Sequence, residues 1–305
     1  LWRQYNHIDL IEDVVKDLKQ RFDKIELESL NDYFAITKPF SDNHDNRPIS
    51  YGEYVNSFSS KDKKEINLGI YEDLKNDFGL EDIKYVPSLT LISSCIGVIN
   101  GVNRFYKDNF VPHFNPLWKD NNKKDTLLVY SYPFETEGII FDLDKIRVCN
   151  WLIENGFIEN NKPKNSQEAK DILLNIQKDA NEYGALKTLL HTLSHILINK
   201  ASLYSGLDID SCSEMIFINQ ASILIYSTSN IIGGFAHIFE NSLFKWFNQI
   251  KIDMLDCILD PTCLFENGAC FSCLYLPEYV CSEFNHFLDR EVFLGKGRRY
   301  DKGYW

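Results

Sequence analysis

The chain has no apolar run of the roughly eighteen residues needed to cross a bilayer; its longest, such as Ile216 to Tyr226, is interrupted by polar residues well short of that. A soluble protein with no membrane partner is expected. Positive charge is also scarce. Lys and Arg number 32 against 44 Asp and Glu, a net charge of −12, which argues against a broad nonspecific nucleic-acid surface because phosphates need clustered cations. Divided at Asn165, each part carries −6, so neither is a basic domain. No repeat period or low-complexity tract is visible, in keeping with a globular protein.

Several catalytic signatures are missing as well. Gly233-Gly234 is followed by neither a third glycine nor Lys-Ser/Thr, so there is no dinucleotide fingerprint and no P-loop. His191 and His195 have the one-turn spacing of paired metal-binding imidazoles, but Thr192 stands where a zinc protease needs its Glu. The deaminase pairing of His-x-Glu with Pro-Cys-x-x-Cys is absent. No secretory leader is read, and Cys95, Cys149 and Cys212 are scattered through apolar runs where reduced thiols pack as small hydrophobes. A reducing, cytoplasmic setting follows as the expectation.

What the chain does contain is a globular composition, 44% hydrophobic and 14% aromatic over 305 residues, enough for one large or two medium domains. Its chemistry is concentrated between Cys257 and Arg290, where five of the eight cysteines fall within 25 residues. Cys270 and Cys273 form a Cys-x-x-Cys pair behind Gly268, and two thiolates so spaced can bind one tetrahedral ion, usually Zn2+. Cys257, Cys263 and Cys281 are candidates for the remaining positions; zinc takes four ligands, so one of the five is a spare. A disulfide framework fits a long intracellular chain poorly, and a redox dithiol would open a helix rather than lie in a loop between Gly268 and Pro277.

Around this segment the spacing predicts an α+β fold, with a mixed region over residues 1–165 and a helix-rich domain over 166–305 that ends in a cysteine zinc knuckle. Residues 9–30 carry the three-and-four spacing of an amphipathic helix, and 39–65 read as a polar loop. The apolar run from Ser88 reads as strand or helix ending near Gly101. Residues 125–132 and 138–143 read as two strands joined by a turn at Glu135 and Glu137, which could be acid and base, metal ligands or simply a solvated turn. A helix over 145–156 is followed by the polar NNKPKNS boundary. One long helix then runs from an Asn165 cap to Gly206. His191 and His195 on this apolar helix read first as hydrogen-bonded core residues, with a ligand role at the cysteine site or a partner contact as alternatives. Ser213 to Ile218 and Ala221 to Ser227 read as strands, and Gly233-Gly234 as either a weak anion site or a place where helix packs closely on strand.

One short basic stretch closes the chain, with Lys296, Arg298, Arg299 and Lys302 beside Tyr300, Tyr304 and Trp305. If DNA is bound, Arg104, Lys296, Arg298 and Arg299 are the candidate contacts; the other reading is a solvated terminus.

The segments HTLSHILI from His191, ILIYSTSNIIGGFAHI from Ile223, CILDPTC and GACFSCLYLPEYVCSEFNHFLDR together resemble the C-terminal zinc-binding domain that accompanies MrfA-type helicases. Within that group they are most similar to the DrmB family of the DISARM anti-phage systems, and IGVINGVNRF from Ile96 and ETEGIIFDLD from Glu135 extend the resemblance. Residues Leu91 to Ser94 and Asn230 to Ile232 depart from that pattern. The resemblance implies a zinc-binding subunit without catalytic activity of its own, partnering a DrmA-like helicase, with DNA as a possible ligand. A free-standing zinc or redox enzyme using the cysteines with His191 or His195, and a structural protein-interaction module, are the alternatives.

Overall fold

The computed structural model describes residues 68–95, 97–106, 109–116, 130–159, 161–229, 232–266, 268–277, 280–281 and 283–305. The segments 9–30, 39–65 and most of 125–132 lie outside them. The chain divides into two compact units, one containing Thr90–Glu135 and the other Tyr51–Leu89 with Thr136–Trp305. In the first, β2 (Gly97–Tyr106) and β3 (Asn109–Pro116) pair antiparallel, with a register shift between Asn100 and Arg104. The ambiguous run after Ser88 is therefore strand: it continues β1 (Leu80–Cys95) and enters β2.

In the second unit α1 (Leu68–Phe78) leads into β1, and β4 (Tyr130–Leu143) into α2 (Lys145–Glu154). There follow α3 (Ser166–Leu174), α4 (Asn181–Ser205), β5 (Cys212–Phe217) and β6 (Ser222–Ser227). Next come α5 (Gly234–His237), a π-helical turn (Ile238–Ser242) and α6 (Leu243–Leu255), then the short α7 (Thr262–Glu266) and α8 (Glu291–Leu294). The fold is mixed α+β, built on a four-stranded sheet ordered β1-β4-β6-β5. All six residues of β6 are buried. The alternating set Ile139, Phe141, Ile223 and Ile225 shares one core with Leu186, Leu189, Leu193 and Ile196 of α4 and with Trp246 and Phe247 of α6.

Three expectations are corrected. The boundary at residue 165 falls inside the second unit, because the polar segment before it is only a helix entry: Asn165 Oδ1 accepts the Glu168 N–H at 2.9 Å, and Trp151 of α2 stacks on Tyr300. The single helix from Asn165 to Gly206 is broken into α3 and α4, with Asn219 donating to the carbonyls of Leu173 (2.8 Å) and Ile176 (3.0 Å) at the break. Gly206 does end α4, in the left-handed conformation at φ 71°.

The third correction concerns β4, which runs unbroken through Glu135 and Glu137. Glu137 is fully buried and accepts the N–H groups of Gly233 (2.7 Å), Phe235 (2.9 Å) and Ala236 (3.2 Å), while Tyr85 Oη donates to it at 2.6 Å. The exposed amides after Gly233-Gly234 thus receive their anion from within the protein. Glu137 belongs to neither a turn nor a metal cluster.

The C-terminal tail is anchored rather than solvated. Gly295 bridges Lys302, Tyr304 Oη donates to the Gly79 carbonyl at 2.6 Å, and Trp151 Nε1 donates to the Lys302 carbonyl at 2.9 Å. Tyr300 and Tyr304 are buried, so neither is placed to stack on a base.

Candidate metal centre

The cysteine segment begins where α6 stops, and one carboxylate organises its first loop. Asp260 accepts the N–H of Cys257 (2.9 Å) and that of Leu264 (3.2 Å), which sets α7 and with it Cys263. Gly268 reverses the chain at φ 67°, donating its N–H to the Cys263 carbonyl at 2.8 Å. A side chain is excluded at that point: a Cβ would lie 2.1 Å from Asp289 Oδ1. The chain then turns tightly over Cys270 to Cys273, the N–H of Cys273 reaching the Cys270 carbonyl at 3.2 Å. Backbone amides also face the sulfurs, Cys270 N–H toward Cys273 Sγ at 3.3 Å and Leu259 N–H toward Cys257 Sγ at 3.5 Å.

Four sulfurs converge. Cys257 Sγ lies 3.6 Å from Cys270 Sγ, Cys263 Sγ 3.8 Å from Cys273 Sγ, and Cys270 Sγ 3.7 Å from Cys273 Sγ. A tetrahedron of sulfurs bound at about 2.3 Å has edges of about 3.8 Å, so these thiols already stand where one ion would need them. The spacing is far beyond the ~2.05 Å of a disulfide bond, and the four are free cysteines. Burial and the facing Cys273 push the Cys263 thiol up, burial pushes Cys273 up to about 11, and against burial the backbone N–H of Ser272 with the neighbouring thiols pulls Cys270 down. Four crowded thiols cannot all ionise against one another, and a divalent cation removes that conflict by making every thiolate favourable.

Arg290 supplies the compensating charge. Its side chain is fully buried, with Nη2 2.6 Å from Asp260 Oδ1 and Nη1 donating to the Met254 carbonyl at 3.3 Å. Burial disfavours its charge, but Asp260 outweighs that, and Cys273 and Cys263 add to it. A metal held by four thiolates would carry two negative charges overall, which this guanidinium, itself paired with Asp260, offsets only in part.

Cys281 is the spare of the five. Its Sγ lies 3.3 Å from His191 Nε2, in a separate, fully buried group of His191, His195, Glu214 and Cys281 whose ligand atoms all lie within 4.8 Å of one another. The histidines are in the core and hydrogen-bonded there, as expected, and the group they share with Glu214 and Cys281 is separate from the four-cysteine cluster. Glu214 was not among the residues its strand pattern singled out; the signal was one carboxylate in the otherwise apolar SEMIFI strand.

Other flanking residues sit as follows. Asn285 closes the loop by pairing its amide with both backbone groups of Leu276, each at 2.9 Å. Asp289 receives Arg299 Nε at 2.5 Å, and its N–H donates to Thr192 Oγ1 at 2.9 Å. Arg299 also donates to the carbonyls of Glu266 (3.1 Å) and Leu264 (3.2 Å), so its guanidinium is committed internally rather than held out for a phosphate. Lys296 and Arg298 remain exposed, Arg298 lying over the Phe265 ring at 5.0 Å. The side chain of Arg104 lies outside the described residues, although its backbone belongs to β2.

No helix among the described residues is long and apolar enough to cross a membrane. No protein-family model matches the chain, and no curated protein matches it.

Proposed function

We propose that the chain is a zinc-binding subunit without catalysis of its own, which docks on a DrmA-like DNA helicase in an anti-phage system of the DISARM type. The observation that carries the metal reading is the closure of the four-cysteine cluster at sulfur separations of 3.6 to 3.8 Å. Four soft thiolates in a tetrahedron select zinc among common divalent ions, and a shell filled by protein leaves no position for an activated water. The ion would lock loops that leave Ile258, Phe265 and Phe271 exposed rather than packed in the core.

The partner and the defence setting rest on the resemblance of the cysteine segment to DrmB. Surface chemistry supports docking: Ile258 (86% exposed) and Phe271 (78%) project from the two loops that carry the sulfurs, a place where apolar side chains are costly without a partner. Lys296 and Arg298 are the exposed tail cations on which a phosphate backbone could be held.

Co-expression with the helicase of the same operon, followed by co-purification and zinc analysis of one sample, tests the reading. Zinc-loaded chain recovered with the helicase, and lost from it in an Ile258→Ser/Phe271→Ser variant that keeps its zinc, is the expected result. A zinc-loaded chain that never associates removes the partnership. An ion carrying bound water, with hydrolytic or redox activity abolished by Cys270→Ser, would favour a free-standing enzyme instead.

A further inference from the structure

We propose that His191, His195, Glu214 and Cys281 form a second metal site, separate from the four-cysteine cluster, that takes one Zn2+-like divalent cation through two imidazole nitrogens, a carboxylate and a thiolate. The four residues come from three parts of the chain: the histidines one turn apart on α4, Glu214 on β5, and Cys281 from the loop after Pro277. His191 Nε2 stands 3.3 Å from Cys281 Sγ and 3.2 Å from Glu214 Oε1, and His195 Nε2 stands 3.8 Å from the same oxygen. With metal–ligand bonds of about 2.0 to 2.3 Å, tetrahedral edges of about 3.4 Å for nitrogen to oxygen and about 3.6 Å for nitrogen to sulfur are required. These three edges lie within a few tenths of an ångström of that geometry, and all four ligand atoms lie within 4.8 Å of one another.

Proton placement argues for a cation more strongly than the distances do. His195 Nδ1 lies 2.9 Å from the Leu274 carbonyl oxygen, which can only accept, so Nδ1 carries the hydrogen. In the neutral ring Nε2 then presents a lone pair toward a carboxylate, an arrangement that is repulsive unless something positive lies between them. A backbone carbonyl that fixes the far nitrogen in this way is the usual support of a metal-bound histidine. His191 Nε2 faces both the thiol and the carboxylate, and a single N–H cannot point at both. His195 Nε2 and both oxygens of Glu214 are buried with no well-directed hydrogen bond, although His191 Nε2 stands 3.2 Å from Glu214 Oε1. One cation at the centre would serve all of them; His191 Nδ1 stays unpartnered in either case.

Charge leads to the same place. One divalent cation, one thiolate, one carboxylate and two neutral imidazoles sum to zero, which suits a pocket whose members are at most 3% exposed. The alternative is a proton network. Against burial, Glu214 and Cys281 hold the His191 ring up to about 10, and against burial His191 pulls Glu214 down to about 2 and Cys281 down to about 6. Protons can relieve these contacts one pair at a time, whereas one cation meets all four ligand atoms at once. The nitrogen, oxygen and sulfur mixture fits zinc better than calcium or magnesium, which take oxygen alone.

With four protein ligands the site is structural. It ties α4 to β5 and pins the far end of the segment whose near end the four-cysteine cluster holds. The two are adjacent in the chain: Leu274, whose carbonyl orients His195, directly follows Cys273.

Zinc content of the full 305-residue chain, with X-ray absorption at the zinc edge, tests the proposal. The expected result is two ions per chain sharing five sulfur and three nitrogen or oxygen ligands. Glu214→Gln should reduce the content to one ion with sulfur ligation only, and Cys270→Ser/Cys273→Ser to one ion with mixed ligation. One ion in the unaltered chain with sulfur ligands alone overturns the second site and leaves the four-cysteine cluster standing. One ion with mixed ligands supports the second site and removes the first. The unaltered chain decides even if a variant fails to fold.

Discussion

Arg290 Nη2 meets Asp260 Oδ1 at 2.6 Å, and the same Asp260 holds the N–H groups of Cys257 and Leu264. One ion pair, with its arginine fully buried and its aspartate partly exposed, therefore joins the end of the cysteine segment to its beginning. Arg290→Met should cost about 3 kcal/mol, the low end for a broken buried pair because Asp260 is partly exposed, and should weaken zinc binding about tenfold. Arg290→Lys keeps the charge but loses the second contact, to the Met254 carbonyl, and should fall between. Thermal melting and competition with a zinc chelator read both effects; unchanged zinc affinity in Arg290→Met would separate the arginine from the metal.

Glu137 anchors the start of the α5 to α6 helix by accepting three backbone amides. Glu137→Gln turns an acceptor-only group into one that also presents N–H toward those amides. A loss of about 2 to 3 kcal/mol is expected in urea unfolding, the range of charge-assisted hydrogen bonds. Zinc content should stay the same, because Glu137 touches neither metal group. A loss below about 0.5 kcal/mol would show that the amides find water instead.

The two buried core thiols should be chemically silent. Burial, with Asp144 and Asp208 nearby, pushes Cys149 and Cys212 up to about 12, so at pH 8 about one molecule in ten thousand carries either thiolate. Iodoacetamide followed by peptide mass spectrometry should leave both unmodified in the folded chain and label both in denaturant. Labelling of Cys212 at the rate of an exposed thiol under native conditions would mean that β5 opens readily.

The tail cations divide into two kinds. Lys296→Glu/Arg298→Glu reverses two exposed charges and should leave stability within about 0.5 kcal/mol while weakening any DNA affinity and flattening its salt dependence. Arg299→Glu would instead set a carboxylate against Asp289 and Glu291, and should cost at least about 2 kcal/mol. Equal DNA binding by the unaltered and doubly reversed chains across a salt titration would remove the tail from any nucleic-acid contact.

How much of this was legible beforehand depends on the range of the interactions. Local signals were reliable: the Asn165 cap with Glu168 three residues on, Gly206 as a helix stop, and the two apolar runs that became β5 and β6. Each concerns a few neighbouring residues, where propensity and capping chemistry decide the outcome. The signals that misled involved polar groups whose partners are remote. Glu137 read as turn or ligand because the amides it serves are more than ninety residues away, and Asn219, which closes the break between α3 and α4, gives no sign of it in its own segment.

The metal chemistry divides along the same line. Sequence alone determined that a sulfur-rich segment of this spacing could hold an ion, because Cys-x-x-Cys and its neighbours form a compact local loop. Only the tertiary structure decided which sulfurs gather. Cys281 leaves its four companions for two histidines and a glutamate brought to it by α4 and β5, since ligand selection depends on side chains meeting in space across the core.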